Sequence, residues 1–215
     1  FMHNPKDTLI SIKKEIQEIN PNSQLIVVTK TFGMNKIEPL IEFGHKHFGE
    51  NKVQEALEKW EPVKSKQDDI RLHLIGKLQS NKVKFCLPLF DYIHGLDSIK
   101  LADKIANEQV KKNFRPKVFI QVNIGDEEQK SGVSQDEILK FYSDIKKNFD
   151  LDIIGLMCIP PFVDDTTPFF KKMKSYAESL SVEHLSMGMS DDYKEALKHS
   201  ATFIRVGSKI MGNRI

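Results

Sequence analysis

The 215-residue chain has only two cysteines, Cys86 and Cys158. They lie far apart and neither belongs to a Cys-x-x-Cys pair. This excludes a disulfide scaffold and fits a reducing cytosol, so a cytoplasmic protein is expected. Long apolar runs are missing too: none approaches the roughly 20 residues that span a bilayer. The opening Phe1-Met2-His3-Asn4-Pro5 holds no secretory apolar core. Phe1 reads as a cloning residue ahead of a natural start at Met2. Charge of one sign is not in excess: 32 Lys+Arg stand against 30 Asp+Glu, a net +2. Neither a nucleic-acid nor a membrane partner is expected. No Gly-x-Gly-x-x-Gly fingerprint is present. Gly44 and Gly49 have the outer spacing of a P-loop, but Glu50-Asn51 follows where Gly-Lys-Ser/Thr is needed. Seven histidines are scattered without His-Glu-x-x-His or a Cys/His cluster, so no zinc site is expected. No Pro/Gly/Ser-rich linker divides the chain, and residues 1–215 read as one domain.

What is present is a globular composition, 40% hydrophobic and 29% charged, arranged as alternating short β-rich runs and amphipathic stretches. Strands are expected at 25–28, 47–49, 71–75, 91–94, 116–123, 151–157, 182–185 and 202–206. Helices are expected at 7–19, 34–43, 53–60, 81–86, 98–111, 135–148, 168–180 and 191–199. Leu25-Ile26-Val27-Val28 is apolar throughout, as in a parallel strand buried on both faces. Eight strands, each reached through a helix, imply a parallel sheet with right-handed crossovers. The fold class expected is α/β, a single (β/α)8 TIM barrel in which the N-terminal helix replaces the one missing after the last strand. An open doubly wound sheet is the alternative.

In such a barrel, sites form at the C-terminal ends of strands, and phosphate favours the loops after the last two. Those loops read Ser186-Met187-Gly188-Met189-Ser190, with Asp191 opening a helix, and Arg205-Val206-Gly207-Ser208-Lys209. Gly188 and Gly207 allow close backbone approach to an anion, Ser186 and Ser208 offer hydroxyls, and the following helix start adds N–H donors. The same residues also make ordinary strand-to-helix turns. The first strand ends in Thr29-Lys30-Thr31. If the barrel closes, Lys30 lies beside the Arg205-to-Ser208 loop. A partly desolvated lysine among cations becomes a nucleophile; alternatively, Lys30 ends a strand in solvent. An aldehyde phosphate needs both an amine and a phosphate cup, and pyridoxal 5′-phosphate (PLP) is the usual one. Lys130, on the same barrel face, is a lesser candidate for anionic ligand. His73, His94 and His184 read as hydrogen-bonded barrel histidines rather than ligands, and Met187-Gly188-Met189 as packing. The pairs Lys111-Lys112 and Lys146-Lys147 read as solvated helix faces.

An ordered set of strings carries a resemblance: Val28-Thr29-Lys30-Thr31, Phe48-Gly49-Glu50-Asn51, the run from His73 to Lys82, Gln121-Val122-Asn123, Lys130-Ser131-Gly132-Val133, Gly155-Leu156-Met157, the run from Leu185 to Asp191, and Arg205-Val206-Gly207. Together they resemble the pyridoxal-phosphate homeostasis proteins (YggS/PROSC type), relatives of the alanine racemase barrel domain. The resemblance implies a fold-type III PLP barrel. By it, Lys30 corresponds to the Schiff-base lysine, Ser186, Gly207 and Ser208 to phosphate ligands, Arg205 to the arginine facing the pyridine nitrogen, and Asn51 to pocket wall. Ser208 stands where many relatives have Thr, and the hydroxyl is kept; Cys158 is a small-residue variation.

A permanently charged Arg205 disfavours ring protonation, which makes the ring a poorer electron sink and argues against transaminase or decarboxylase chemistry. Alanine racemases add a C-terminal domain and a catalytic tyrosine. This chain is expected to end without such a domain, at Ile215. Tyr92, Tyr142, Tyr176 and Tyr193 read as structural or exposed, so no partner for Lys30 in two-base chemistry is expected. The expectation is a monomeric PLP carrier, not an enzyme, that buffers PLP or delivers it to apo PLP-dependent enzymes. A low-activity PLP-dependent amino-acid racemase is the second reading, and a phosphosugar enzyme without PLP the third.

Overall fold

A computed structural model describes residues 3–213. The readings placed on Phe1, Met2 and the terminal Ile215 lie outside the described residues. Eight parallel strands close into a barrel. In chain order they are β1 (Gln24–Val28), β2 (His47–Glu50), β3 (Arg71–Leu74), β4 (Tyr92–Leu96), β5 (Lys117–Asn123), β7 (Asp152–Cys158), β8 (His184–Ser186) and β9 (Phe203–Val206). Each pairs with the next, β4 pairs with β5, and β1 pairs with β9 to complete the ring. That closure rules out the open sheet. A two-residue strand that the sequence does not announce, β6 (Val133–Ser134), adds to the edge of β5.

The helices follow the expected alternation: α1 (Pro5–Ile19), α2 (Met34–Phe43), α3 (Val53–Lys64), α4 (Val83–Cys86), α5 (Ile99–Lys112), α6 (Ile138–Asn148), α7 (Thr167–Leu180) and α8 (Tyr193–Lys198). Helix α1 begins two residues before the expected start at Asp7, because Asn4 caps it and Pro5 is preset for the first turn. Helix α3 runs past Trp60, with Pro62 tolerated in its last turn. Helix α8 starts at Tyr193 rather than Asp191, since the Asp192 carboxylate accepts from the Met189 amide and holds the preceding loop. The chain also forms a short α9 (Ser208–Met211) after the last strand. Helix α1 packs against α2, α8 and α9, so it fills the gap in the outer ring as expected.

Two apolar layers result. The larger lies between sheet and helices and includes Leu25, Val27, Ile120 and Ile204. The smaller fills the barrel interior with Ile26, Tyr92, Phe119, Met157 and Phe203. Alternation along β1 explains the split: odd residues point out to the helices and Ile26 points in. Among the described residues, no helix is long and apolar enough to cross a membrane. No group of three His/Cys/Asp/Glu there could hold a metal ion, and both cysteines are free and buried.

Candidate functional site

The site is built at the seam that closes the barrel. Val27 of β1 is in register with Val206 of β9. Val28 therefore sits against Gly207, where an added Cβ would lie 3.3 Å from the Val28 Cβ. Lys30 follows two residues later. A cavity of about 1100 Å³ opens at this end of the barrel, and Lys30, Asn51, Arg205, Gly207 and Ser208 all line it. Residues far apart in sequence thus converge on one space, as the closed topology requires. Lys130 also reaches the cavity and pairs with Glu127 at 3.3 Å.

Asn51 is placed by a close backbone crossing. A Cβ on Gly76 would lie 2.4 Å from the Asn51 carbonyl oxygen, so only glycine lets the two loops meet. Arg205 points inward from β9 and is 2% exposed. Its Nη1 donates to Ser186 Oγ at 2.5 Å and its Nη2 to the Cys158 carbonyl at 2.9 Å. Burial pulls the Arg205 pKa below its ordinary value, opposed by Cys158 and Asp192; guanidinium remains the charged form. Burial also pushes the Cys158 thiol up to about 12, which makes it an inert neighbour.

Ser186, an expected phosphate ligand, lies behind the cavity and not in its lining. It is fully buried and has its hydroxyl between Arg205 and His94. Ser190, four residues on, does line the cavity: it lies 3.5 Å from the Ser208 hydroxyl and accepts from the Lys209 amide at 3.4 Å. Gly188, with φ +102°, turns the chain between the two serines; a Cβ there would meet Ala196 at 2.7 Å. The signal available was strand polarity: Ser186 is the last residue of β8, whereas Ser190 stands in the loop beyond it. The mouth carries a segment the sequence reading did not assign, Ile159 to Asp164, in which Phe162 is fully exposed.

The donor set suits a small aromatic aldehyde phosphate. It offers an amine on Lys30, two hydroxyls beside Gly207 at the start of α9, and a buried guanidinium facing the same space. Of the tyrosines, none lines the cavity. Tyr92 stacks on His73 inside the barrel, Tyr176 donates to Gln135, and Tyr193 donates to Glu15. Tyr142 packs against the outer apolar layer.

A lysine and two serine hydroxyls beside Gly207, gathered at the mouth of a closed parallel barrel, define a class. The family model described as alanine racemase, N-terminal domain, matches residues 11–214. Among curated relatives, the pyridoxal phosphate homeostasis protein of Aquifex aeolicus is 36% identical over 201 residues, covering 89% of this chain and 87% of the relative. That of Haemophilus influenzae is 35% identical, covering 100% of this chain and 96% of the relative. PipY of Synechococcus elongatus, solved with PLP bound, superposes with a TM-score of 0.88 at 31% identity, covering 97% of this chain and 100% of that one. An alanine racemase of Clostridium difficile shares the fold, with a TM-score of 0.77 at 13% identity over 57% of its length. The chain belongs to the pyridoxal phosphate homeostasis protein family, within the alanine racemase barrel class.

Proposed function

We propose that this chain binds PLP through a Schiff base on Lys30 and serves to buffer the cofactor or deliver it to apo PLP-dependent enzymes. The observation that carries the reading is the convergence of Lys30 with Arg205, Gly207 and Ser208 on one cavity. The PLP bound to PipY supports the choice of ligand.

In this reading PLP, when bound, would supply an electrophilic aldehyde, and Lys30 is the amine that would hold it. Ser190 and Ser208 would donate to the phosphate, with the backbone at Gly207 close by. Arg205 would orient the ring from its nitrogen side, and its fixed charge would disfavour a proton there. Asn51 forms wall. The cavity is at the large end of the range for small-molecule sites and opens to solvent, which favours exchange over sequestration.

The carrier reading is favoured over the racemase reading because no tyrosine lines the cavity to work opposite Lys30. The names of the relatives agree with it. We take the whole chain to act as one barrel, as a monomer, in the cytoplasm. The test is a visible spectrum of the purified chain with added PLP, before and after borohydride. A yellow protein whose band is lost on reduction is expected. A colourless protein that added PLP cannot charge overturns the proposal.

A further inference from the structure

Behind Arg205, a column of polar groups crosses the barrel interior from the cavity floor to the N-terminal rim. Among the described residues no carboxylate forms an ion pair with Arg205, although its side chain is fully enclosed. What it has is Ser186, then His94, His73 and His47, one from each of β8, β4, β3 and β2. The hydroxyl oxygen of Ser186 lies 2.9 Å from His94 Nδ1, His94 Nε2 lies 2.9 Å from His73 Nδ1, and His73 Nε2 lies 2.8 Å from His47 Nδ1.

Donor counting fixes the direction of every bond. A guanidinium can only donate, so Ser186 Oγ accepts from Arg205 and must place its own proton on another acceptor. The acceptor beside it is His94 Nδ1. The proton of neutral His94 therefore sits on Nε2 and is donated to His73 Nδ1. The same logic puts the His73 proton on Nε2, donated to His47 Nδ1. All three lone-pair nitrogens then face Arg205.

We propose that His47, His73 and His94 are positioning residues: three neutral rings in one tautomer that hold the Arg205 guanidinium in a single orientation and stabilise its charge in place of a carboxylate. A neutral imidazole is a dipole with its negative end at the bare nitrogen, and rings joined head to tail polarise one another. A carboxylate would instead grip the guanidinium fork bidentately and occupy donors that face the cavity. The column leaves those donors to the ligand.

The surroundings keep the rings neutral. A proton added to His73 Nδ1 would set N–H against the N–H of His94, and one added to His94 Nδ1 would set N–H against the Ser186 O–H. Tyr92 stacks on His73 at 4.0 Å between ring centres, and Phe119 on His94 at 4.3 Å. Burial is the main cause that holds both well below the ordinary histidine range. Arg205 on β9 faces His94, and Lys64 on α3 faces His73. At the partly exposed end, His47 faces Arg71 of β3, Lys117 of β5 and Lys13 of α1, with Asp91 opposing; burial first, then Arg71, takes it down to about 4.

The tautomer order stands on geometry alone; the role toward a bound ring rests on the PLP reading. The test is a long-range proton–nitrogen NMR correlation on the full chain, histidine-labelled and without PLP, with rings assigned by their contacts to Tyr92 and Phe119. Neutral Nε2–H rings at His47, His73 and His94 near pH 7, persisting at His73 and His94 to about pH 5, are expected. An Nδ1–H tautomer or an imidazolium at His73 or His94 overturns the column. In a second arm, Ser186→Ala should shift the visible band of the PLP-charged protein and raise the PLP dissociation constant about tenfold. Ser186→Thr, which keeps the hydroxyl, should restore both. An unshifted band in Ser186→Ala refutes the positioning role. If the unsubstituted chain takes up no PLP, the functional reading fails, and the tautomer spectrum alone judges the column.

Discussion

The Thr29 hydroxyl donates to the Glu50 carboxylate at 2.5 Å across neighbouring strands. Through this contact the residue before Lys30 is tied to a buried charge cluster. Glu50 Oε2 also accepts from Trp60 Nε1 at 2.9 Å and pairs with Lys59 at 2.8 Å. Lys59 reaches the Thr29 carbonyl at 2.7 Å, and Glu55 accepts the Thr31 amide at 2.7 Å. Thr31 has φ +71°, a conformation that a threonine holds only under constraint. Both neighbours of Lys30 are thus clamped while its own side chain faces the cavity.

Loss of this clamp should be costly. Glu50→Ala removes the acceptor shared by Thr29 and Trp60, while Lys59 keeps Glu55 at 3.0 Å, so it should destabilise the fold by about 1–3 kcal/mol, and Glu50→Gln by less. Urea unfolding tests this through a lowered midpoint at constant slope. An unchanged midpoint for Glu50→Ala would mean that the cluster contributes nothing.

The buried histidines set the acid response. In the folded chain His45 is held at about 3 and His47 at about 4, with His73 and His94 also well below the ordinary range, burial being the first cause in each. Unfolding returns each toward the usual value near 6.5. Below that value the unfolded chain binds more protons than the folded one. Stability is therefore fully present above about pH 6.5 and falls as pH drops toward about 4 for His47 and about 3 for His45. Each group contributes a slope of about 1.4 kcal/mol per pH unit inside its window. The urea midpoint should fall steeply from pH 7 to pH 5, with uptake of roughly two to four protons on unfolding. A flat midpoint over that range contradicts the neutral assignment.

Much of this architecture was legible in the chain. Leu25 to Val28 and the strand through Gln121 announced buried parallel strands because apolar content and flanking turns left little choice. The joining of β1 to β9, and with it the meeting of Lys30 and Gly207, followed from closure alone. What sequence could not supply was depth. Ser186 and Ser190 are equivalent as residue types, and only the end of β8 decides that the first is buried behind Arg205 while the second faces the cavity. The histidine column was equally hidden. His47, His73 and His94 are separated by more than twenty residues each, and only the strand registers bring them into line. The strand Val133–Ser134 and helix Ser208–Met211 are too short for periodicity to reveal.

The proposed phosphate contacts predict a selective loss. Ser190→Ala and Ser208→Ala should each raise the PLP dissociation constant about tenfold, the effect of one hydrogen bond to a charged group. Pyridoxal, which lacks the phosphate, should bind both variants as it binds the unsubstituted chain. Equal losses for the two ligands would place the serines elsewhere in the site.

The carrier reading also predicts a low ceiling on catalysis. Conversion of L-alanine to D-alanine by the PLP-charged protein should not exceed that of free PLP at the same concentration. Lys30-dependent turnover well above it would favour the racemase alternative.

The most direct measurement is to charge the chain with PLP, fix the adduct with borohydride and map the labelled peptide. Label confined to Lys30, and no covalent label in Lys30→Ala, is the predicted result. Label on Lys130 or another lysine, with Lys30 unmodified, contradicts the account.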